Sequence, residues 1–224
     1  MRIALLGPPG AGKSTQAERL AAVFHLVHLS SGDLLRAEKT AGTPLGRRVR
    51  QFLDQGVLVP DDLLVQLVQE RVRGAREGFI LDGYPRTLAQ ARMLDGFLAG
   101  EDMPLDLVLI FTLEAAVLTR RFAGRRICPK CGTVYHLDSR PPLVPEHCDR
   151  DDAALTLRPD DAPETVRRRL ETYQETMAPV LAYFTKRKLL ATMDASGSID
   201  TVAEQAVRMV RRHFDLTSKP CESL

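Results

Sequence analysis

Arg2-Ile3-Ala4-Leu5-Leu6-Gly7-Pro8-Pro9-Gly10-Ala11-Gly12-Lys13-Ser14-Thr15 opens the chain with an apolar run, a glycine-rich turn and a lysine. The apolar run stops abruptly at Gly7 and reads as a buried parallel strand, which need not alternate polar with apolar residues. From Lys13 the pattern becomes helical to about Phe24, with Leu20, Val23 and Phe24 on one stripe. Residues 7–15 fit G-x-x-x-x-G-K-[ST] between strand and helix, the context a phosphate-binding loop needs. Gly10, Ala11 and Gly12 let backbone N–H groups converge on phosphate oxygens, and the helix that follows adds its positive end. Lys13 is expected to reach the outer phosphates, and Ser14 or Thr15 to meet phosphate or magnesium. The loop alone does not name an acceptor, because GTPases, ATPases and small-molecule kinases all use it.

Outward from this loop, apolar runs at 26–29, Phe79–Leu81, Leu105–Phe111 and Lys188–Met193 read as further strands. Helical patterns cover 32–40, 44–55, Pro60–Val72, Thr87–Leu98, Glu114–Ala123, Pro163–Lys186 and Ile199–Phe214. Strands alternating with helices imply an α/β fold, a central, mainly parallel sheet in three layers with helices on both faces. Residues 124–161 differ: three of the four cysteines and Pro129, Pro141, Pro142 and Pro145 crowd there with little periodicity, which suggests an inserted β-rich lobe. The tail, 215–224, is polar and is expected to fray.

The 224 residues, 44% apolar and 27% charged, suit one domain with insertions and a substantial core. Lys plus Arg exceeds Asp plus Glu by 31 − 29 = +2, too even a balance for a protein coated in nucleic acid. No apolar run approaches the roughly 18 residues of a membrane span, and Met1–Gly12 enters a Gly/Pro turn too early for a secretory signal. Four cysteines without such a signal point to the cytoplasm, where clustered cysteines more often bind metal than pair.

Three further segments carry a resemblance. They are Leu29-Ser30-Ser31-Gly32-Asp33-Leu34-Leu35-Arg36, Gly56-Val57-Leu58-Val59-Pro60-Asp61, and Leu81-Asp82-Gly83-Tyr84-Pro85-Arg86-Thr87 followed by Gln90. With the phosphate loop, in this order and spacing, the chain resembles the adenylate kinases of the nucleoside monophosphate kinase family, the bacterial long-lid type most closely. The resemblance covers nearly the whole chain. It implies a P-loop core of 1–29, 60–123 and 162–214, a helical AMP-binding lobe at 30–59 and a small zinc lid at 124–161. It also implies the reaction ATP + AMP ⇌ 2 ADP, with magnesium accompanying ATP.

Two nucleotides bring about five to six negative charges together, so the site needs fixed cations. Arginine suits this, because its planar fork grips phosphate bidentately and stays charged. The resemblance implies that Arg36 and Arg86 hold the AMP phosphate and that Arg125, Arg158 and Arg169 close on the transferring group. Arg121 would stack on the ATP adenine, with Val134, Tyr135 and the backbone near Gly197 also on the ATP side. Arg167, Arg168 and Arg169 are spaced 100° apart on one helix, so they cannot all face one site. Arg169 is chosen by resemblance, and Arg168 is expected to pair with Glu164. Ser31, Gln90 and the backbone of Val57, Leu58 and Val59 would read the AMP base, beside Gly83, Tyr84 and Pro85. Ser31 also reads as a helix N-cap, and Gln90 as a plain exposed helix residue. Asp82, at a strand end, is the expected magnesium-side carboxylate, acting through water; it also reads as a turn residue before Gly83.

The chain departs from the family pattern twice. Ser14 stands where the family has glycine, and Asp194-Ala195 stands where it has Asp-Gly, so a positive φ at Ala195 would be strained.

Cys128-x-x-Cys131 and Cys148-x-x-Asp151 form two symmetrical hooks, as a tetrahedral structural zinc requires. Asp151 matches the spacing and resembles the three-Cys-one-Asp lids of some adenylate kinases; His147, Asp149 and His136 compete for the fourth place, and Cys221 lies far off in the tail. Three rival readings fit the sequence less well. A UMP/CMP kinase would usually have a short lid. A zinc-ribbon nucleic-acid module is opposed by Asp149, Asp151, Asp152, Asp160 and Asp161, which offset Arg125, Arg126 and Lys130. A GTP switch would need guanine-reading motifs such as N-K-x-D, which the chain lacks. The expected partners are ATP, AMP and ADP, with no nucleic acid and no membrane, and a phosphotransferase that closes on itself is expected to be a monomer.

Overall fold

The computed structural model describes residues 1–55, 57–157 and 161–216. Five parallel strands form the central sheet: β1 (Arg2–Leu6), β2 (Val27–Ser30), β3 (Phe79–Asp82), β4 (Leu107–Thr112) and β7 (Leu190–Asp194), in the order β2-β3-β1-β4-β7. A shorter antiparallel pair, β5 (Arg125–Ile127) and β6 (Val134–His136), lies apart from it. Side chains on the central strands alternate between two cores. Ile3 and Leu5 pack with Ala17, Leu20, Val202 and Val210 of the flanking helices α1 (Lys13–Phe24) and α8 (Ile199–His213). Ala4 and Leu6 face the opposite way, onto α4 (Asp61–Arg73), α5 (Leu88–Gly100) and α7 (Pro163–Lys186). A strand buried on both faces needs apolar residues at every position, which is why the runs read as continuous.

Two features position the site. Because all five strands are parallel, Leu6, Ser30, Asp82, Thr112 and Asp194 end at one edge of the sheet, where α/β folds gather ligands. Two excursions overhang that edge. One is the helix pair α2 (Ser31–Ala41) and α3 (Pro44–Gln55); the other leaves α6 (Ala115–Gly124) for the β5–β6 hairpin.

Most elements fall within two residues of expectation, and α7 matches it end to end. The last strand begins at Leu190 rather than Lys188. Lys188 takes a left-handed φ of 57° and donates to the Thr185 carbonyl, so it closes α7 instead. Among the described residues the lobe expected to be β-rich holds six strand residues and three isolated bridges; the rest is turn.

Candidate active site

The phosphate loop is built by its glycines. Gly10 and Gly12 adopt φ of 84° and 83°, and a Cβ on Gly10 would sit 2.8 Å from the Phe122 ring. Lys13 turns its ammonium back over the loop, donating to the Gly7 and Pro8 carbonyls at 2.9 and 2.8 Å. Burial lowers the Lys13 pKa from 10.5 to about 7; the Asp82 charge works against this, and Arg86, Arg169 and Arg125 work with it.

Asp82 is 4% exposed. Ser14 Oγ donates to its Oδ2 at 2.5 Å, and His28 Nε2 stands 3.4 Å from the same oxygen. Burial opposes the Asp82 charge, but the His28 hydrogen bond, the Lys13 ammonium and the Ser14 hydroxyl outweigh it and hold the carboxyl below its ordinary range. Burial likewise opposes the charged form of His28, yet Asp82 raises its pKa overall.

A cavity of about 610 Å³ opens over the loop. Residues 10–15 form its floor; Asp82, Arg36, Arg86, Arg121, Arg125 and Arg169 stand around it, and Val134, Tyr135, Arg140 and Arg150 reach it from the hairpin lobe. Arg125 and Arg169 share the buried carboxylate of Asp161, at 3.2 and 3.5 Å. Both guanidiniums lie over the Phe122 ring, at 5.1 and 5.9 Å from its centroid. Arg167 and Arg168 turn away toward Glu164; the expected Arg168 contact is there at 3.6 Å, but Arg167 is closer at 2.7 Å. Arg121 donates to the carbonyls of Ala11, Ala195 and Gly197 and so ties the loop to the end of β7. Ala195 does not have a positive φ, so the strain expected there does not arise.

A second recess of about 120 Å³ runs beneath α2 and α3, past Leu35, Leu53, Val57 and Leu58 to Pro85 and Tyr173. Lys13, Gly32, Arg36, Gly83, Arg86 and Arg169 line both spaces, so the cations stand where the two meet. Arg36 pairs with Asp33 at 2.5 Å. Arg86 donates to the Gly83 carbonyl at 2.7 Å and to Ser31 Oγ at 3.3 Å.

Several expectations change at this recess. Ser31 is not the N-cap: Ser30 accepts from the Asp33 N–H, and the Ser31 hydroxyl, 1% exposed, lies within bonding distance of the Asp82 and Gly83 carbonyls. Gln90 is fully buried rather than exposed. It accepts from the Arg86 N–H and donates to Asp61, which also takes the Thr87 hydroxyl that caps α5. Tyr84 and Val59 sit in the core and line neither space; burial raises the Tyr84 phenol pKa. Arg158 and Gly56 lie outside the described residues, as does Cys221.

Sequence reasoning did not single out His28, Phe122, Arg140 or Arg150, quoted Asp61 only within its motif, and counted Asp161 only as an offsetting charge. His28, Asp61, Phe122 and Asp161 act through partners distant in the chain, while Arg140 and Arg150 reach the cavity from the hairpin lobe. No local pattern in the sequence signals these contacts.

In the hairpin lobe, one donor atom from each of Cys128, Cys131, Cys148 and Asp151 lies within 4.8 Å of the others. Cys131 and Cys148 sulfurs are 3.5 Å apart, too far for a disulfide, and Cys128 Sγ is 3.3 Å from Asp151 Oδ1. Tetrahedral zinc with sulfur ligands has edges of about 3.8 Å, so a thiolate-rich donor set of this size fits. His147 is engaged with Asp152 and Asp149 with the Leu143 N–H, and His136, whose Nδ1 accepts from the Asp138 and Ser139 N–H groups, lies outside the four-donor cluster. Among the described residues Cys128, Tyr135 and Cys148 form the lobe's buried hydrophobic cluster, too small a core to hold the lobe unaided.

No helix among the described residues is long and apolar enough to cross a membrane. The sequence profile of the adenylate kinases matches residues 5–189. An adenylate kinase of Chloroherpeton thalassium is 44% identical over 208 residues, covering 92% of this chain and 95% of its own length. One from an Anaeromyxobacter species is 43% identical, covering 94% and 99%, and one from Pyrococcus furiosus is 41% identical, covering 92% and 93%. A match that runs from the phosphate loop through the long helix, together with relatives this similar along almost their whole length, places the chain in the adenylate kinase family.

Proposed function

We propose that this chain catalyses ATP + AMP ⇌ 2 ADP by direct in-line transfer. The observation that carries the reading is the pair of recesses meeting across Lys13, Arg36, Arg86 and Arg169, which suits two nucleotides placed phosphate to phosphate. An oxygen of the AMP phosphate attacks the γ-phosphorus as the bond to the β–γ bridging oxygen breaks. The chain's own work is positioning and charge neutralisation.

Lys13, the loop N–H groups, Arg125, Arg169 and Arg158 hold the transferring group, while Arg36 and Arg86 fix the acceptor phosphate. Arg36 exchanges Asp33 for that phosphate. Arg121, Val134, Tyr135 and the Ala195–Gly197 backbone receive the ATP base and ribose; Ser31, Gly83, Pro85, Gln90 and residues 57–59 shape the AMP side. Gln90, bonded to the Arg86 N–H, acts by fixing Arg86. Magnesium bound with ATP would supply charge neutralisation to the phosphates, and Ser14 and Asp82, bonded to each other beside the loop, would hold it through its water shell. Zinc held by Cys128, Cys131, Cys148 and Asp151 leaves no open position and would be structural.

Water competes as acceptor, so the site must close, and residues 30–59 and 124–161 are the moving lobes around a core of 1–29, 60–123 and 162–214. We further infer a cytoplasmic monomer with no nucleic-acid partner. The deciding experiment is a coupled ADP-formation assay with AMP, CMP, UMP and GMP as acceptors, run on wild type and Arg86→Ala. AMP should be preferred, and the variant should lose about 100-fold or more in kcat/KM while its circular dichroism is unchanged. A pyrimidine preference, or a near-normal variant, overturns the assignment.

A further inference from the structure

His28 sits on β2, two residues before the strand end, where Ser30 lies level with Asp82 on β3. It is half-buried and lines neither cavity, so it does not face a nucleotide directly. Its contact with the site is Asp82. A carboxylate oxygen only accepts, so Nε2 presents its hydrogen to Asp82 Oδ2 at 3.4 Å. Ser14 Oγ donates to that same oxygen from the opposite element, the first turn of α1. Oδ1 takes no protein hydrogen bond among the described residues.

The terminal torsion of an aspartate is soft and two-fold, so a carboxylate held by one donor exchanges its oxygens readily. Two donors on one oxygen, arriving from β2 and from α1, stop that exchange and leave a single oxygen for a cation in the cavity. Magnesium demands near-octahedral order and is sensitive to the partners that orient its ligands. We propose that His28 is a positioning residue which, together with Ser14, locks the Asp82 carboxylate with Oδ2 bound and Oδ1 presented to the hydrated divalent cation of the ATP complex. Ser14 is one of the chain's two departures from the family pattern, so this clamp belongs to this sequence rather than to the family pattern at large.

The inference rests on the reading of Asp82 as the cation-side carboxylate, and the test separates the two. Mn²⁺ is titrated by electron paramagnetic resonance into complexes of the protein with a non-hydrolysable ATP analogue, using wild type, His28→Ala, His28→Gln and Asp82→Asn. AMP affinity and thermal midpoint are measured alongside. His28→Ala should weaken Mn²⁺ binding about tenfold with AMP affinity unchanged, in the range seen when a ligand-orienting partner is removed. His28→Gln, whose amide can donate to the same oxygen, should recover most of the loss. Unchanged Mn²⁺ affinity in His28→Ala, even with a lowered thermal midpoint, overturns the inference, and so does a glutamine variant as weak as alanine. If Asp82→Asn also leaves Mn²⁺ affinity intact, the cation role of Asp82 falls too; if only Asp82→Asn weakens it, the clamp alone is refuted.

Discussion

Nucleotide binding should draw a proton from solution, and Lys13 should be its destination. In the free protein burial and three neighbouring guanidiniums hold the Lys13 pKa at about 7, against an ordinary value of 10.5. Between those two pH values the folded chain binds fewer protons here than the unfolded chain, so this group alone makes stability rise with pH across that window. A polyphosphate on the loop supplies the missing negative charge and returns the group toward its ordinary value. At pH 8 a group of pKa 7 is about one-tenth protonated, so binding should take up about 0.9 proton; at pH 7 the figure is about 0.5 and at pH 6 about 0.1. Mg-ATP is already fully ionised at pH 8, because the last phosphate pKa lies near 6. The assay is isothermal titration calorimetry of a non-hydrolysable Mg-ATP analogue at pH 8 in buffers of different ionisation enthalpy, where the slope of apparent enthalpy gives the proton count. Lys13→Arg keeps the cation but does not titrate, so its uptake should vanish even if affinity falls. No uptake by the wild type at pH 8, or equal uptake in the arginine variant, would refute the assignment.

Gly46→Ala should damage the AMP side selectively. An added Cβ would lie 1.9 Å from the Glu38 carbonyl oxygen, so α2 and α3 must part, at a cost of about 1–3 kcal/mol. The expected readings are a lower thermal midpoint and a raised KM for AMP with ATP affinity kept. If the Cys128–Asp151 cluster holds zinc as proposed, a thiol-directed mercurial should release about one zinc per chain to a chromogenic chelator. Proteolysis should then begin within residues 124–157 while the central sheet stays protected, because the three-residue buried cluster there has little else to hold it.

The sheet and its helices were legible because they depend on local pattern. Ile3–Leu6, Phe79–Leu81 and Leu107–Phe111 are apolar at successive positions, which only a doubly covered strand requires. Pro163 at the first helical position fixed the start of α7. Boundaries slipped where two adjacent residues offer the same chemistry. Ser30 and Ser31 are equally good caps on paper, and only the backbone turn decides that Ser30 does the capping. The loop lysine and the cysteine hooks were visible from spacing alone. The supporting contacts were not: His28 meets Asp82 across 54 positions, Gln90 meets Asp61 across 29, and Arg125 meets Asp161 across 36. No periodicity records such pairings, since they follow from strand order and from which way α6 and α7 point. The side chains of Tyr84 and Val59, residues named for the AMP side from their motifs, fill the core beneath the site.

Phe122 is bound by two demands at once. Its ring lies where a side chain on Gly10 would collide, and the guanidiniums of Arg125 and Arg169, which share Asp161, lie over it. A leucine would satisfy the first demand and fail the second, because it has no π-face to attract a cation. Position 122 therefore has less freedom than an ordinary core site. Two like charges rest on one aromatic platform before any nucleotide arrives, so their side chains have fewer rotamers left to search as the lobe comes down.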